Sequence, residues 1–382
     1  YSNKIYQVFN DKEFELIYKS VFDTFERLQP GSNDYHVIKR VIPKNSKVIF
    51  LGDYHSSIHA FIDTILDLKS KGYFDDYWVL KKDCYLVITG DMVDRGPYGI
   101  EIMYLIYLLF LNNNKEEYRF FILNGNHEEP SVYSRFGLSL EIENQFKIEE
   151  NKKSFEQLLT KLPVALFLKS NSDDSKWYQF CHGGIDFYQF GDSDKITDFL
   201  KSDLSSINLE IDKGWGFENG FLWSDFTNSN NDNILFGNRP IFPPKMVEKI
   251  LDTNNIKSII SGHQDLENFG FVYRPSLKDS SNICQSNPSL DYSKFYPKEK
   301  DDSLCTLKKI KDSKSGDGSS EHIISMDMAM VIVTSSSTIS KLIPKACYGI
   351  LHMKTDTSVI NLLDTCNTSY LNDAAAEPST CK

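Results

Sequence analysis

The chain has no CxxC pair, no apolar stretch approaching a membrane span, no secretory opening and no internal repeat. Its seven cysteines (Cys84, Cys181, Cys284, Cys305, Cys347, Cys366 and Cys381) leave one over in any pairing. That usage argues against a disulfide framework and reads as a reducing, cytoplasmic setting. Cys84 and Cys181 fall inside strand-like runs and read as small buried apolar groups. The longest apolar run, Ile102–Leu111, has ten residues, against the ~20 a bilayer span requires. It reads as a buried helix, which leaves no transmembrane anchor. Positive charge is also scarce: 42 Lys and Arg face 53 Asp and Glu, for a net charge of −11. That balance repels phosphate backbones and argues against nucleic acid as a partner. The opening YSNKIYQVFNDKEFE is mixed and polar, and Tyr1 stands where an initiator Met would, which reads as a trimmed start.

What is present suits a folded globular protein. The 382 residues, 41% hydrophobic and rich in Phe (26) and Tyr (20), are enough to bury a substantial core. Helical spacing of Phe14, Ile17, Tyr18, Val21, Phe22 and Phe25 predicts a packing helix over Asp11–Leu28. From Lys47 onward one pattern recurs: a short apolar run, then Gly with acidic, amide or imidazole residues. The instances are KVIFLGDYH, DCYLVITGD, RFFILNGNHE, WYQFCHGG and IKSIISGHQ. Such runs read as buried strands, with Phe61–Leu68 and Ile100–Leu111 as helices between them. Alternating strands and helices imply α/β layers, with polar residues gathered past the strand ends. Met328–Thr334 and Ala346–Met353 read as further strands of a second sheet. KDSKSGDGSSE, within Pro275–Glu321, lacks core periodicity and reads as a mobile loop. The organisation expected is a helical extension over 1–40, a catalytic domain over 41–370 with an insertion at 275–321, and a flexible tail over 371–382.

The polar residues after these strands have a shared chemistry. Two cations ~3.5–4 Å apart can clamp both oxygens of an in-line displacement at phosphorus. Such a centre needs carboxylate, amide and imidazole ligands, a set that favours Mn, Fe or Zn over Mg or Ca. Asp53 and His55 stand two apart at a strand end, so extended geometry would point them to one side. Asp91, Asn126, His182 and His263 each follow an apolar run with Gly alongside.

GDYHS, GDMVDRG, GNHE, CHGG and GHQ, in that order between Lys47 and Gln264, resemble the PPP family of protein phosphatases, within the calcineurin-like metallophosphoesterases. LPVA at Leu162–Ala165 and LWSD at Leu222–Asp225 are similar to that family's intervening segments. The resemblance implies a layered α/β/β/α sandwich with two mixed sheets flanked by helices. It implies two divalent metal ions, Mn before Fe or Zn. Asp53 and His55 would bind the first metal, Asp91 would bridge, and Asn126, His182 and His263 would complete the second. Arg95 and Arg239 would hold phosphate oxygens, with Arg274 as competitor for the second position. His127 would protonate the leaving oxygen, oriented by Asp94. His36, His59, His322 and His352 read as ordinary surface or core histidines.

The implied reaction is hydrolysis of phosphoprotein monoesters, phosphoserine or phosphothreonine by default and phosphotyrosine as an option, by direct attack of a metal-bridging hydroxide. Ser56 departs from the family's usual Gly; if that position needs positive φ, Ser would strain it and the turn would differ. TSSST at Thr334–Thr338 replaces the family's SAPNY loop. Two other readings stay open: hydrolysis of a small molecule such as a dinucleoside polyphosphate, and a non-enzymatic, metal-stabilised binding module. His127 and Arg95 argue against the module, which needs neither an acid nor a phosphate clamp. The Asn/Lys/Ser-rich composition and the helix after GDMVDRG resemble bacterial effector phosphatases of the Legionella Wip type. That resemblance implies secretion into host cytoplasm and a host phosphoprotein as target.

Overall fold

A computed structural model describes residues 11–32, 35–172, 175–192, 194–209, 219–226, 235–236, 239–263, 271–273, 313–314, 320–325, 330–333, 347–353 and 359–364. The chain opens with α1 (Asp11–Leu28), β1 (His36–Ile42), β2 (Lys47–Leu51), α2 (Ile58–Ser70), β3 (Cys84–Ile88), α3 (Gly99–Asn113) and β4 (Phe120–Ile122). After α4 (Pro130–Phe136) and α5 (Leu138–Gln145) come β5 (Ala165–Ser170), β6 (Trp177–Cys181) and β7 (Ser206–Asn208). Then follow β8 (Asp225–Phe226), β9 (Leu235–Phe236), β10 (Arg239–Phe242), β11 (Ile256–Ser261) and β12 (Phe271–Tyr273). The last strands are β13 (Ser313–Lys314), β14 (Ser320–Ser325), β15 (Met330–Val333), β16 (Cys347–His352) and β17 (Val359–Asp364).

Among the described residues these strands make two seven-stranded sheets. One runs β12-β15-β11-β6-β5-β1-β7, the other β13-β14-β17-β16-β2-β3-β4. A small third sheet joins β8, β10 and β9. Both large sheets mix parallel and antiparallel pairs.

The period of two along the strands explains the layers. On β5, Leu166 and Leu168 enter the core shared with β2 and β3, whereas Ala165 and Phe167 enter a second core. On β6, Tyr178 and Phe180 face the first core, and Trp177 and Cys181 the second. The second core is completed by Ile196 and Phe199 of the helix Lys195–Lys201 and by Val247 and Leu251 of the helix Pro244–Thr253. On the other side, α1 and α3 pack together, with Phe25 and Phe110 ring centroids 4.6 Å apart. The result is a layered α/β/β/α sandwich, as the sequence implied.

Between the sheets, the rings of Phe50 on β2 and Phe180 on β6 meet at 6.3 Å. Gly349 on β16 pairs with Phe50, and a Cβ there would come within 2.0 Å of the Phe50 ring. That strand therefore carries glycine to make room for a core aromatic.

The structure differs from the sequence reading in four places. β1 lies outside the strands read from the sequence; it straddles residue 40 and pairs with β5 inside the first sheet. β15 and β16 do not share a sheet: β15 pairs with β11, and β16 inserts between β2 and β17. Within KDSKSGDGSSE, Ser313–Lys314 pairs antiparallel with Ser320–Glu321, so backbone pairing shapes a segment that side-chain periodicity left blank. The ten-residue apolar run lies in α3 and is only partly covered: Ile102, Met103, Ile106 and Phe110 are buried, while Leu108 reaches the surface. The rest of the 275–321 insertion and the tail 371–382 lie outside the described residues.

Cys84 and Cys181 are buried, and burial pushes both thiols up to about 12, which suits inert packing groups. Among the described residues, no helix is long and apolar enough to cross a membrane.

Candidate metal centre

Five strand ends converge on one pocket. β2, β3 and β4 of one sheet are parallel and release their chains at Gly52, Thr89 and Leu123. β6 and β11 of the other sheet are also parallel and end just before His182 and Gly262. Parallel strands linked by helices place all their C-terminal loops on one edge, and here the two edges face each other.

The loop after β2 is not extended. The strand stops at Leu51, His55 has φ 46° and Ser56 has φ 61°, so the same-face argument for Asp53 and His55 does not hold. A tight turn orients them instead. It is fastened to the next motif where the amides of His55 and Ser56 donate to the carbonyls of Asp91 (2.9 Å) and Met92 (2.7 Å). Ser56 thus adopts the left-handed conformation itself.

His55 Nδ1 faces the Val93 carbonyl at 3.2 Å. A carbonyl only accepts, so Nδ1 carries the proton and Nε2 is left as a ligand atom, 3.6 Å from Asp91 Oδ2. Burial pushes this ring down to about 3, which keeps it neutral.

After β3, Gly90 has φ 101°, and a Cβ on it would lie 2.5 Å from Gly125 Cα. This close approach of two glycines lets the GDMVDRG and GNHE loops touch. Asp91 Oδ1 accepts the His127 amide at 3.0 Å, and Oδ2 lies 3.2 Å from His182 Nε2. Burial opposes ionisation of Asp91, yet the His182, His127 and His55 rings around it hold its carboxyl well below the usual range.

Asn126 Oδ1 lies 2.8 Å from His182 Nε2 and 3.2 Å from His263 Nδ1, and those two ring nitrogens are 3.2 Å apart. Burial works against charge on His182, but Asp91 and then Asp53 raise it to about 9, so the surroundings favour positive charge at this point.

These contacts test whether a cation fits. Asp91 Oδ2 and Asn126 Oδ1 only accept, and one proton on His182 Nε2 cannot satisfy both. Two imidazole nitrogens at 3.2 Å likewise compete for one proton. Four ligand atoms each ~2.1 Å from a common ion would stand ~3.0–3.4 Å apart, close to the spacing seen. Among the described residues two donor groups have all their ligand atoms within 4.8 Å of one another: His55, Asp91 and His127, and Asp91, His182 and His263. Asp91 belongs to both. The residues present fit divalent metal ions.

Asp53 is in neither group. Its Oδ2 accepts the His263 amide at 2.9 Å and its Oδ1 stands 3.7 Å from His182 Nδ1. Gly262 makes room for it, since a Cβ there would come within 2.1 Å of Asp53 Oδ1. His127 Nδ1 contacts Asp94 Oδ2 at 2.9 Å, and its Nε2 lies 3.3 Å from Arg95 Nη2. Arg95 is exposed above the pocket. Arg239 stands at the rim, 3.7 Å from Asp225, which is itself 3.7 Å from His263 Nε2. Arg274 and the TSSST segment lie outside the described residues. Of the histidines set aside, His36 is buried against Gln29 and His59 stacks edge-on with Tyr98.

Sequence reasoning passed over the roles of four residues here: Glu128, Glu129, Trp223 and Asp225. Glu128 accepts the amides of Asp91 (2.9 Å), Met92 (2.8 Å) and Gly125 (2.8 Å), tying the two loops together. Glu129 and Trp223 bond each other beside the pocket. Trp223 and Asp225 both stand within LWSD, whose spelling assigns neither a role. The GNHE spelling pointed to Glu128, but only the fold shows what it holds.

The chain is similar in sequence and in fold to known protein phosphatases. The chain is 26% identical over 227 residues to the serine/threonine-protein phosphatase PP2A-like PPG1 of Candida albicans, covering 59% of this chain and 48% of that protein. It is 26% identical to the serine/threonine-protein phosphatase 6 catalytic subunit of Caenorhabditis elegans, covering 61% and 62%. The chain therefore spans about half to three fifths of the length of these curated relatives. Its fold is similar to the structure of a Saccharomyces cerevisiae protein serine/threonine phosphatase with similarity to human phosphatase PP5, with a TM-score of 0.56, 16% identity, and 96% and 92% of the two chains covered. The family model described as calcineurin-like phosphoesterase matches residues 46–265. That match runs from the strand before Asp53 to just past His263 and covers more than half of the sequence. The chain belongs to the calcineurin-like phosphoesterase family.

Proposed function

We propose that the chain is a metal-dependent phosphoprotein phosphatase that hydrolyses phosphomonoesters. The observation that carries this reading is Asp91, whose carboxylate is shared by two clusters of ligand atoms, one of them including His127, which pairs with Asp94. Asp53, His55, Asp91, Asn126, His182 and His263 are the residues assigned to two divalent ions, with Mn favoured by the mixed carboxylate and imidazole set. Bound there, the ions would supply charge neutralisation and activation of the attacking water.

The remaining steps belong to the protein. Arg95, exposed beside His127 Nε2, receives the phosphate oxygens through its planar fork. Arg239 at the rim is assigned the opposite side. His127 presents Nε2 to the leaving oxygen and gives it a proton, while Asp94 fixes the ring through Nδ1. Burial alone would lower the His127 pKa, but the Asp91 charge and the Asp94 bond leave it raised, so the acid form is available.

Phosphoserine and phosphothreonine are the substrates proposed, supported by the serine/threonine phosphatase names of the relatives. Host-cell phosphoproteins belong in the substrate panel because of the resemblance to bacterial effectors. The test is turnover of phosphoserine, phosphothreonine and phosphotyrosine peptides, p-nitrophenyl phosphate and dinucleoside polyphosphates with Mn. Peptide hydrolysis that a chelator abolishes and Mn restores is expected. Turnover of the nucleotides alone would replace this reading with small-molecule hydrolysis, and bound metal without any turnover would replace it with a binding module.

A further inference from the structure

One partly buried acid beside the pocket has no part in the proposed reaction. Glu129 follows the GNHE turn, and its two oxygens are held by donors from distant parts of the chain. Tyr35 Oη donates to one at 2.5 Å, and Trp223 Nε1 donates to the other at 3.0 Å. An indole has a single donor and no acceptor, so this bond is the directional anchor of the Trp223 ring.

Two other groups beside the ring matter to the site. The Arg239 guanidinium carbon lies 5.4 Å from its centroid, and the His263 ring meets it edge-on at 5.9 Å. Arg239 has a side chain 44% exposed and approaches Asp225 at 3.7 Å. A long side chain at an open rim loses rotamer freedom when it holds one position, and an indole platform lowers that loss at binding.

We propose that Glu129 is a positioning residue for phosphate binding: it fixes the Trp223 indole, and the indole holds Arg239 toward the pocket. The inference rests on the phosphatase reading of Arg239. It assigns Glu129 no contact with substrate and no proton to move. Tyr35 serves by filling the second oxygen, which keeps the carboxylate from turning away from the indole.

The test uses the full chain loaded with Mn, as wild type and as Glu129→Ala, Glu129→Gln, Trp223→Phe, Arg239→Ala and the Glu129→Ala/Arg239→Ala double variant. Readouts are the Kd of inorganic phosphate by calorimetry, bound Mn per chain, and KM and kcat for p-nitrophenyl phosphate. Loss of one orienting hydrogen bond predicts a rise of about tenfold in phosphate Kd and in KM for Glu129→Ala. Bound Mn and kcat should stay within about twofold, the range expected when only the rim contact is lost. Glu129→Gln should stay close to wild type, because its amide can accept from the indole and donate to Tyr35. Trp223→Phe keeps a ring but loses the anchor and should follow Glu129→Ala.

In the double variant, Glu129→Ala should add less than about twofold to the Arg239→Ala effect. Full additivity there, or phosphate Kd unchanged in both Glu129→Ala and Trp223→Phe, overturns the inference while wild-type turnover leaves the phosphatase reading standing. A wild-type protein that neither binds phosphate nor turns over substrate overturns that reading, and the inference with it.

Discussion

The imidazole of His127 and the carboxylate of Asp94 meet at 2.9 Å, and the second Asp94 oxygen accepts the Leu138 amide at 2.9 Å. The carboxylate is thus fixed by the first turn of α5 before it fixes the ring. Asp94→Asn should lose the ionic half of this contact. The prediction is a fall in kcat of roughly 10²-fold with bound metal retained. The ring would also give up its proton at lower pH, so the alkaline limb of the rate profile should move down. An unchanged limb would show that Asp94 does not hold the ring in its acid form.

Glu128 makes a structural prediction. Its carboxylate serves three buried amides from two loops. Glu128→Ala leaves those donors without acceptors, at ~1–3 kcal/mol each, so destabilisation of at least about 3 kcal/mol is expected. Metal affinity should fall as well, by about 10–100-fold, because the same bonds hold Asp91 in place. Chemical denaturation and metal titration measure the two effects separately. A variant that loses neither would mean that the loops keep their contact without the carboxylate.

A pH dependence follows from Glu141. Its carboxylate accepts the Gly99 amide at 2.7 Å at the start of α3, and its other oxygen, Oε1, is buried without a hydrogen bond. Burial pushes the carboxyl up to about 8, with the charges of Glu101 and Asp94 acting in the same direction and the α3 amides opposing. Between the unfolded value of ~4.3 and that raised value, the folded chain holds a proton that the unfolded chain has released. Stability should therefore fall as pH rises through this window, by up to about 1.4 kcal/mol per pH unit. Glu141→Gln keeps an acceptor for α3 and removes the titration. Parallel stability curves for the two proteins from pH 5 to 8 would refute the assignment.

Ser56 offers a stabilising change. Its φ of 61° places an L side chain in the left-handed region, and its hydroxyl is buried without a hydrogen bond. Glycine removes a strain of ~1–2 kcal/mol and gives back part of it through a freer unfolded chain, ~0.4–1 kcal/mol. Ser56→Gly should gain about 1 kcal/mol in net stability, read as a higher Tm, with turnover unchanged. A lower Tm would show that the hydroxyl contributes to packing.

The strands that carry the motifs were legible because each is an apolar run closed by glycine, and α1 because its aromatic face repeats at helical spacing. β1 was hidden by Lys39 and Arg40, which break an apolar pattern that otherwise reads as strand. Their charges find partners far along the chain: Lys39 donates to the Phe199 and Ser202 carbonyls, and Arg40 to those of Leu28 and Ser205. No local signal announces such partners. The separation of β15 from β16 was hidden for the same reason, since sheet membership depends on pairings with β11 and β2. At the site, residue types and order were readable, whereas the turn at His55, the crossing of loops at Gly90 and Gly125 and the span of Glu128 are facts of tertiary contact.

β16 lies between β2 and β17, so the strand that leads into Asp53 has its edge covered by residues near the other end of the sequence. During synthesis β2 emerges long before residues 347–352 exist. At ~5–20 residues per second, the interval between Leu51 and Cys347 is on the order of fifteen seconds to a minute. For that time a hydrophobic strand edge stays open on the ribosome, where other chains can pair with it. Nascent-chain chaperones should therefore engage this protein early, and recombinant pieces that stop short of residue 347 should aggregate where the full chain remains dispersed.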